Sequence, residues 1–341
     1  MSLDTFPEAI RDDVRRARRL EYWNIGWTIS IIVVMGLAMG GSQTMKTAWV
    51  EDTLGLIPPI AFLVALKIEA KPHSKLFPFG FDRAQGLAFL IAAVALALVG
   101  AMLLWDAAGT LIAREHAMVG SIRILGRDIW LGWIMIAAQL YSIVPPFIIG
   151  RMELPLAERM QDEVLYTDAK MNKANWMTGV AGLGGVIGLG MGWWWADSVA
   201  AAIISIDIIR DGWRALKIAS AELIDGLPRK LGATEPDPDA VALMERLERF
   251  YPDAKARVRD TGRYMRAEVI GASPGEPPDL IALWPGDPDR GWRLAEVSFL
   301  PDKGIGPIMS ARADARVQTR LGQGRDGADL GARLGARRER C

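Results

Sequence analysis

Residues 47–66, TAWVEDTLGLIPPIAFLVAL, decide how the chain is read. The run is long enough to cross a bilayer as a helix, and Leu54, Leu56, Ile57, Ile60, Phe62, Leu63 and Val64 make it apolar. Inside it sit Glu51 and Asp52, with no basic neighbour to neutralise them. A carboxylate near the hydrocarbon core costs about 2.5–3.5 kcal/mol even on lenient insertion scales. Such residues face a bundle interior or a water-filled cavity, which makes them functional candidates by default. A membrane segment that carries two acids predicts a helical membrane bundle with a polar path.

Five further segments have comparable character: about 23–41, 86–112, 129–149, 176–195 and 197–218. With 46–67 they predict six transmembrane helices, one all-α membrane domain over 23–227, preceded by a segment 1–22. The chain is 51% hydrophobic with a mean hydropathy of +0.16, too apolar for an ordinary soluble domain. A charged fraction of 23%, unevenly spread, implies a soluble part as well. Lys67, Lys71, Lys75 and Arg83 follow the second segment, and Arg151, Arg159, Lys170 and Lys173 follow the fourth. With the arginines Arg11 to Arg19, they predict that both termini are cytoplasmic. Arg114, Arg123 and Arg127 run against the pattern. The first apolar run lacks a small-residue cleavage site and reads as a retained span of a multi-pass inner-membrane protein.

Pro58-Pro59 and Pro145-Pro146 predict kinks in the second and fourth helices. Gly184, Gly188 and Gly192, four apart, predict close helix packing in the fifth. Trp193 to Trp195 mark a membrane interface at the following turn. After Pro228 the pattern changes to a small α+β domain over 228–306. Residues 239–250 read as an amphipathic helix, and 257–259, 264–270 and 293–300 as strands. Residues 272–290, rich in proline, glycine and aspartate, read as loop. The arginine-, glycine- and alanine-rich stretch 307–341 cannot bury enough apolar surface to order itself and reads as a disordered basic tail.

The composition excludes several chemistries. The one cysteine, Cys341, and the two histidines, His73 and His116, exclude a disulfide framework, a thiol nucleophile and a multi-histidine metal site. Lys+Arg and Asp+Glu balance at 40 each, which points away from nucleic acid. No Walker loop or dinucleotide fingerprint is present, so neither an enzyme nor a bound cofactor is expected. What remains is a stripe: Asp168, Asn172 and Asn175 fall at i, i+4 and i+7 on one side of a helix. Together with Glu51 and Asp52 they would form an all-oxygen site suited to a hard divalent cation or a proton. Helix capping or interfacial solvation is the competing account of Asp168 and the asparagines, because Lys170 and Lys173 lie among them.

Four stretches, taken in order, resemble the cation diffusion facilitator family of divalent-metal transporters. They are Ser42-Gln43 with WVEDTLGLIPPI, then KPHSKLFPFGFDRAQ with Pro78, Gly80, Arg83 and Gln85, then TDAKMNKANWMTG, then the run from Ala196 that closes on Leu-Ile-Asp-Gly-Leu-Pro. The resemblance covers roughly residues 20–270 and implies six transmembrane helices, a small cytoplasmic ferredoxin-like domain and a homodimer in the bilayer. It also implies exchange of Zn, Mn, Fe or Co for protons. The family's site uses an acidic pair four residues apart on helix two, and a histidine or aspartate followed four residues later by an aspartate on helix five. Here the position four beyond Glu51 or Asp52 is Gly55 or Leu56, and the helix-five positions are Met171 and Asn175. Phe77 and Phe81 stand near the helix-three entry where histidines are often found. The resemblance therefore implies a divergent transporter with an altered metal site and a degenerate ferredoxin-like domain. The alternative is a transport-inactive relative that serves as a structural or heteromeric membrane partner.

Overall fold

A computed structural model describes residues 6–38, 49, 52–113, 121–124, 127–190, 193, 196–273 and 279–301. Helix α1 (Glu8–Ala38) begins well before the first apolar segment. Its N-terminal turns are amphipathic: Phe6, Ile10, Val14 and Ala17 are buried while Arg15 and Asp12 pair on the outer face. The basic N-terminal stretch is thus the start of a long helix packed on the bundle.

The second segment breaks where a continuous helix was expected. Residues 52–54 are helical, Gly55 and Leu56 form a turn, and α2 (Ile57–Glu69) starts afresh. Pro58 and Pro59 occupy the first turn of α2 instead of kinking a helix from within. The reason is chemical: the first turn has no intrahelical partner for its N–H groups, so proline loses nothing there. Glu51 lies outside the described residues.

Helices α3 (Ala84–Ala113), α4 (Leu131–Met160), α5 (Glu163–Gly190) and α6 (Ala196–Leu223) complete the bundle. By length and composition α1 and α3 are each apolar enough to cross a membrane. Between α3 and α4 lies an antiparallel hairpin, β1 (Ser121–Ile124) with β2 (Arg127–Trp130), in the loop that carries the contrary arginines. Pro145, Pro146 and Pro155 lie inside α4.

Among the described residues, close approach is seen at glycines outside the four-apart series. A Cβ on Gly212 of α6 would sit 2.7 Å from Ala97 Cα of α3, and one on Gly150 of α4 would sit 3.1 Å from Asn172 Cβ of α5. Around Gly184 nothing lies within 4 Å. Small residues let helix backbones meet where apolar burial supplies no drive, and here they join α3 to α6 and α4 to α5. The main core gathers Val14, Phe62, Leu66, Phe89, Met160, Leu165 and Ala219 from all six helices.

The C-terminal unit is α+β. Helix α7 (Pro238–Phe250) is capped by Asp237, whose side chain accepts from Asp239 N at 2.9 Å. Strands β3 (Lys255–Thr261) and β4 (Tyr264–Ile270) are antiparallel, and β5 (Leu294–Leu300) lies parallel to β4. Leu243, Leu247, Val258, Met265, Val269, Trp284 and Leu294 form its core. The stretch expected to be loop contains two short helical pieces, α8 (Leu280–Leu283) and a 3-10 turn at Pro288–Arg293. Asp279 and Asp287 start them by accepting from the backbone two residues on, at 3.0 Å each. The aspartates that read as loop formers are N-caps. The basic stretch 307–341 lies outside the described residues.

Candidate cation centre

Three polar residues of α1, Glu21, Asn24 and Thr28, fall at i, i+3 and i+7 and point inward. They meet Glu153 of α4 and the Asp168 and Asn172 pair of α5. Glu21, Asn24, Glu153, Asp168 and Asn172 are all at most 4% exposed. One carboxylate oxygen from each of Glu21, Glu153 and Asp168 lies within 4.8 Å of the others. Gly150, one turn before Glu153, sets this geometry by letting α4 approach Asn172.

The amides hold the acids in place. Asn24 Nδ2 donates to Asp168 Oδ2 at 2.9 Å and to Glu153 Oε1 at 3.3 Å. Asn172 Nδ2 donates to Glu153 Oε2 at 2.9 Å. Thr28 Oγ1, 3.5 Å from Asn24 Oδ1, steadies the first amide. Neither oxygen of Glu21 has a hydrogen-bond partner. No arginine or lysine among the described residues forms an ion pair with any of the three carboxylates.

Three like charges this close, enclosed and without a counter-ion, are not tolerated in an apolar interior. The centre must hold a cation or protons. Asp168 and Asn172, whose role the sequence left between capping and a site, are therefore interior residues. Asp162 performs the capping of α5, accepting from Val164 N at 3.0 Å and Leu165 N at 3.1 Å.

The other candidates lie apart. Asn175 is half-buried, and its Oδ1 has no partner. Asp52 is half-buried and, among the described residues, makes no hydrogen bond to the α5 stripe. Met171, at a position where the resemblance implies a ligand, packs with Leu96, Val99, Leu103, Ala174 and Ile208, with Leu54 against them. Glu21 and Glu153 are not among the sequence-based candidates: Glu21 stands just ahead of the first apolar run, and Glu153 lies beyond the fourth, between Arg151 and Glu158.

A second polar region joins the bundle to the C-terminal unit. The β3–β4 turn inserts Arg263, whose side chain is wholly buried, between the end of α2 and the α4–α5 turn. It donates to Glu69 at 3.1 and 3.0 Å, lies 3.2 Å from Asp162, and stacks 5.4 Å above the Phe6 ring. Gln85 of α3 also donates to Asp162. Beside this plug Glu163, Glu222 and Asp260 line a small cavity with Arg229 and Arg293.

Residues 25–224 match the family model of the cation efflux transmembrane domain. The chain belongs to the cation diffusion facilitator family. This cation efflux protein is 24% identical over 217 residues to the manganese efflux system protein MneS of Bacillus subtilis (strain 168), covering 63% of this chain and 69% of that one. It is 23% identical to the zinc transporter ZitB of Yersinia pseudotuberculosis, over 61% and 64% of the two chains. It is 24% identical to a cadmium, cobalt and zinc/H(+)-K(+) antiporter of Bacillus velezensis, over 61% and 65%. The family is one of membrane transporters, not enzymes.

Proposed function

We propose that this cation efflux protein exports a divalent cation, one of Mn, Zn, Fe or Co, in exchange for protons. It does so as a six-span homodimer of the inner membrane with both termini in the cytoplasm. The observation that carries the reading is Asp168, a carboxylate sealed among other carboxylates inside a helical bundle and lacking any ion-pair partner among the described residues. Such a group is costly to keep unless it handles charge. The relatives named for manganese, zinc and cadmium–cobalt–zinc handling supply the class of cargo.

On this reading α5 presents Asp168, Asn172 and Asn175 along the cation path, with Asp52 and Glu51 as the acids ahead of α2. Carboxylates and amides are hard oxygen donors, which favours manganese or iron over the softer end of the series. An empty centre holds protons, and an arriving cation displaces them, which is a route to antiport without histidine.

A second reading has one specific observation behind it: Met171 packs in an apolar cluster where the family uses a ligand. A relative that no longer transports, retained as a membrane partner, would look like this. The test is reconstitution into proteoliposomes with a pH-sensitive dye inside and Mn, Zn, Fe, Co or Mg outside. Metal-dependent proton movement with at least one ion is the expected result. Silence with all five, from protein that is correctly folded, establishes the inactive partner.

A further inference from the structure

We infer that the cation of this chain is bound between α1, α4 and α5, by Glu21, Glu153 and Asp168, and that Asp52 is not among its ligands there. The inference rests on the transport reading above and locates the site within it.

Two independent features converge. The first is the cluster: three carboxylates from three separate helices, with one oxygen of each within 4.8 Å of the rest. The second is Glu21 itself. It is completely buried, both its oxygens lack a donor, and it is aimed into the cluster. Glu153 and Asp168 have amide donors that account for their orientation; the Glu21 oxygens have none and are completed by a cation or, in its absence, by a shared proton. A buried acceptor left unmet is destabilising, so it persists where something absent from the bare chain completes it.

The amides have a separate role. Asn24 donates to Glu153 Oε1 and Asp168 Oδ2 and Asn172 donates to Glu153 Oε2, which fixes the two acids against each other. They are positioning residues of the kind that orient ligands around a metal. Met171, at the position where the resemblance implies a ligand, is packed with Ala174 by Leu96, Val99 and Ile208 and offers no anionic donor. The donor stripe of α5 thus meets its acidic partners on α1 and α4.

The experiment uses the full chain in detergent, with Mn2+ as the probe, read by its electron paramagnetic resonance signal and by titration calorimetry. The variants are Glu21→Gln, Glu153→Gln and Asp52→Asn. Glutamine preserves shape and removes a buried charge, so the glutamine variants should fold; unfolding temperature without metal checks this, and Glu153→Asp provides a second probe at the same position. The expected result is loss of affinity by more than about tenfold in both glutamine variants, a larger loss than Asp52→Asn causes. Asn172→Ala should weaken binding less than either and change the linewidth of bound Mn2+. Undiminished binding in Glu21→Gln and Glu153→Gln overturns the inference, as does a dominant loss in Asp52→Asn. If the wild-type chain moves Mn2+ in liposomes while these variants bind it normally, the location is wrong and transport stands. If it neither binds nor moves any divalent ion, the transport reading itself has failed.

Discussion

Arg263, at the tip of the β3–β4 turn, donates two hydrogen bonds to Glu69 at the end of α2, 3.1 and 3.0 Å long and buried on both sides. The C-terminal unit is thereby bolted to the bundle through a guanidinium that also reaches Asp162, the N-cap of α5. One arginine ties together α2, α5 and, through the Phe6 ring, the start of α1.

Removing that arginine strands two buried acids. Breaking one partner of a buried pair costs about 3–5 kcal/mol because the remaining charge is uncompensated. Arg263→Ala should therefore lower the denaturant midpoint of the whole protein in detergent by an amount of that order. The triple change Arg263→Met, Glu69→Gln, Asp162→Asn should recover part of the loss, though not the cap made by the Asp162 carboxylate. A stability change under about 1 kcal/mol for Arg263→Ala would show that the pair is open to water and not a bolt.

Gly262 is the residue that lets the turn enter. Its φ is +74°, and a Cβ there would stand 2.5 Å from Asp82 O and 3.0 Å from Gln85 Cβ. Backbone cannot yield as a flexible side chain does, and the left-handed conformation adds its own cost of about 1 kcal/mol. Gly262→Ala should lift the turn out, exposing the 228–237 connection to protease while α7 and the sheet stay folded. Cleavage at the wild-type rate would mean that the docking does not depend on the close approach.

The same junction should respond to pH. Glu222, beyond the apolar run of α6, is pushed up to about 8 by desolvation and by the charge of Glu163, with Asp162 adding to it and Arg83 and the Gly262 N–H opposing. Asp260 of β3 is driven well above the ordinary carboxylate range by desolvation and by Glu222, with Asp237 adding, against Arg293 and the Arg229 N–H. Raised values mean that the docked state holds protons the undocked state has released. The stabilisation is therefore fully present below the ordinary carboxylate range and fades as pH rises through about 8. Protein held at pH 6 should melt higher than at pH 9, and Glu222→Gln should flatten the difference. A melting temperature that rises with pH over this range would reverse the sign and reject the account.

How much of this was legible depends on whether a residue's neighbours lie on its own helix. The α5 stripe of Asp168 and Asn172 could be read from i, i+4 spacing, because a single helix carries it. The strand Tyr264–Ile270 was legible from alternation, which the sheet preserves. Glu21 had a spacing signal, i, i+3, i+7 with Asn24 and Thr28, but it preceded the apolar run that defined the span. Glu153 had none: its surroundings of Arg151 and Glu158 suit a wet helix end, and only the approach of α4 to α5 at Gly150 buries it. Pro58-Pro59 misled because proline inside a pattern and proline at a helix start have the same composition and differ only in where the turn falls. Arg263 is a long-range partner of Glu69, 194 residues away, and no local pattern encodes such a pairing.

The docking also constrains topology. The β3–β4 turn contacts Glu69 at the end of α2, Asp82 and Gln85 at the start of α3, and Asp162 between α4 and α5. Arg159 just before that turn also binds Asp13 of α1 through two hydrogen bonds, 2.8 and 2.9 Å. On the proposed topology these helix ends and the C-terminal unit share the cytoplasmic side, as the basic residues gathered there predict. Trp193, between α5 and α6, then faces outward at the opposite surface. With Cys341→Ser as background, the only native thiol is gone and single cysteines can report their side. Trp193→Cys should react with a membrane-impermeant maleimide added to intact spheroplasts, while Ser74→Cys should react only after the membrane is opened. Ser74→Cys labelling in intact spheroplasts, with Trp193→Cys protected, would invert the protein, and labelling of both from outside would break the odd number of crossings, α3, α4 and α5, between them.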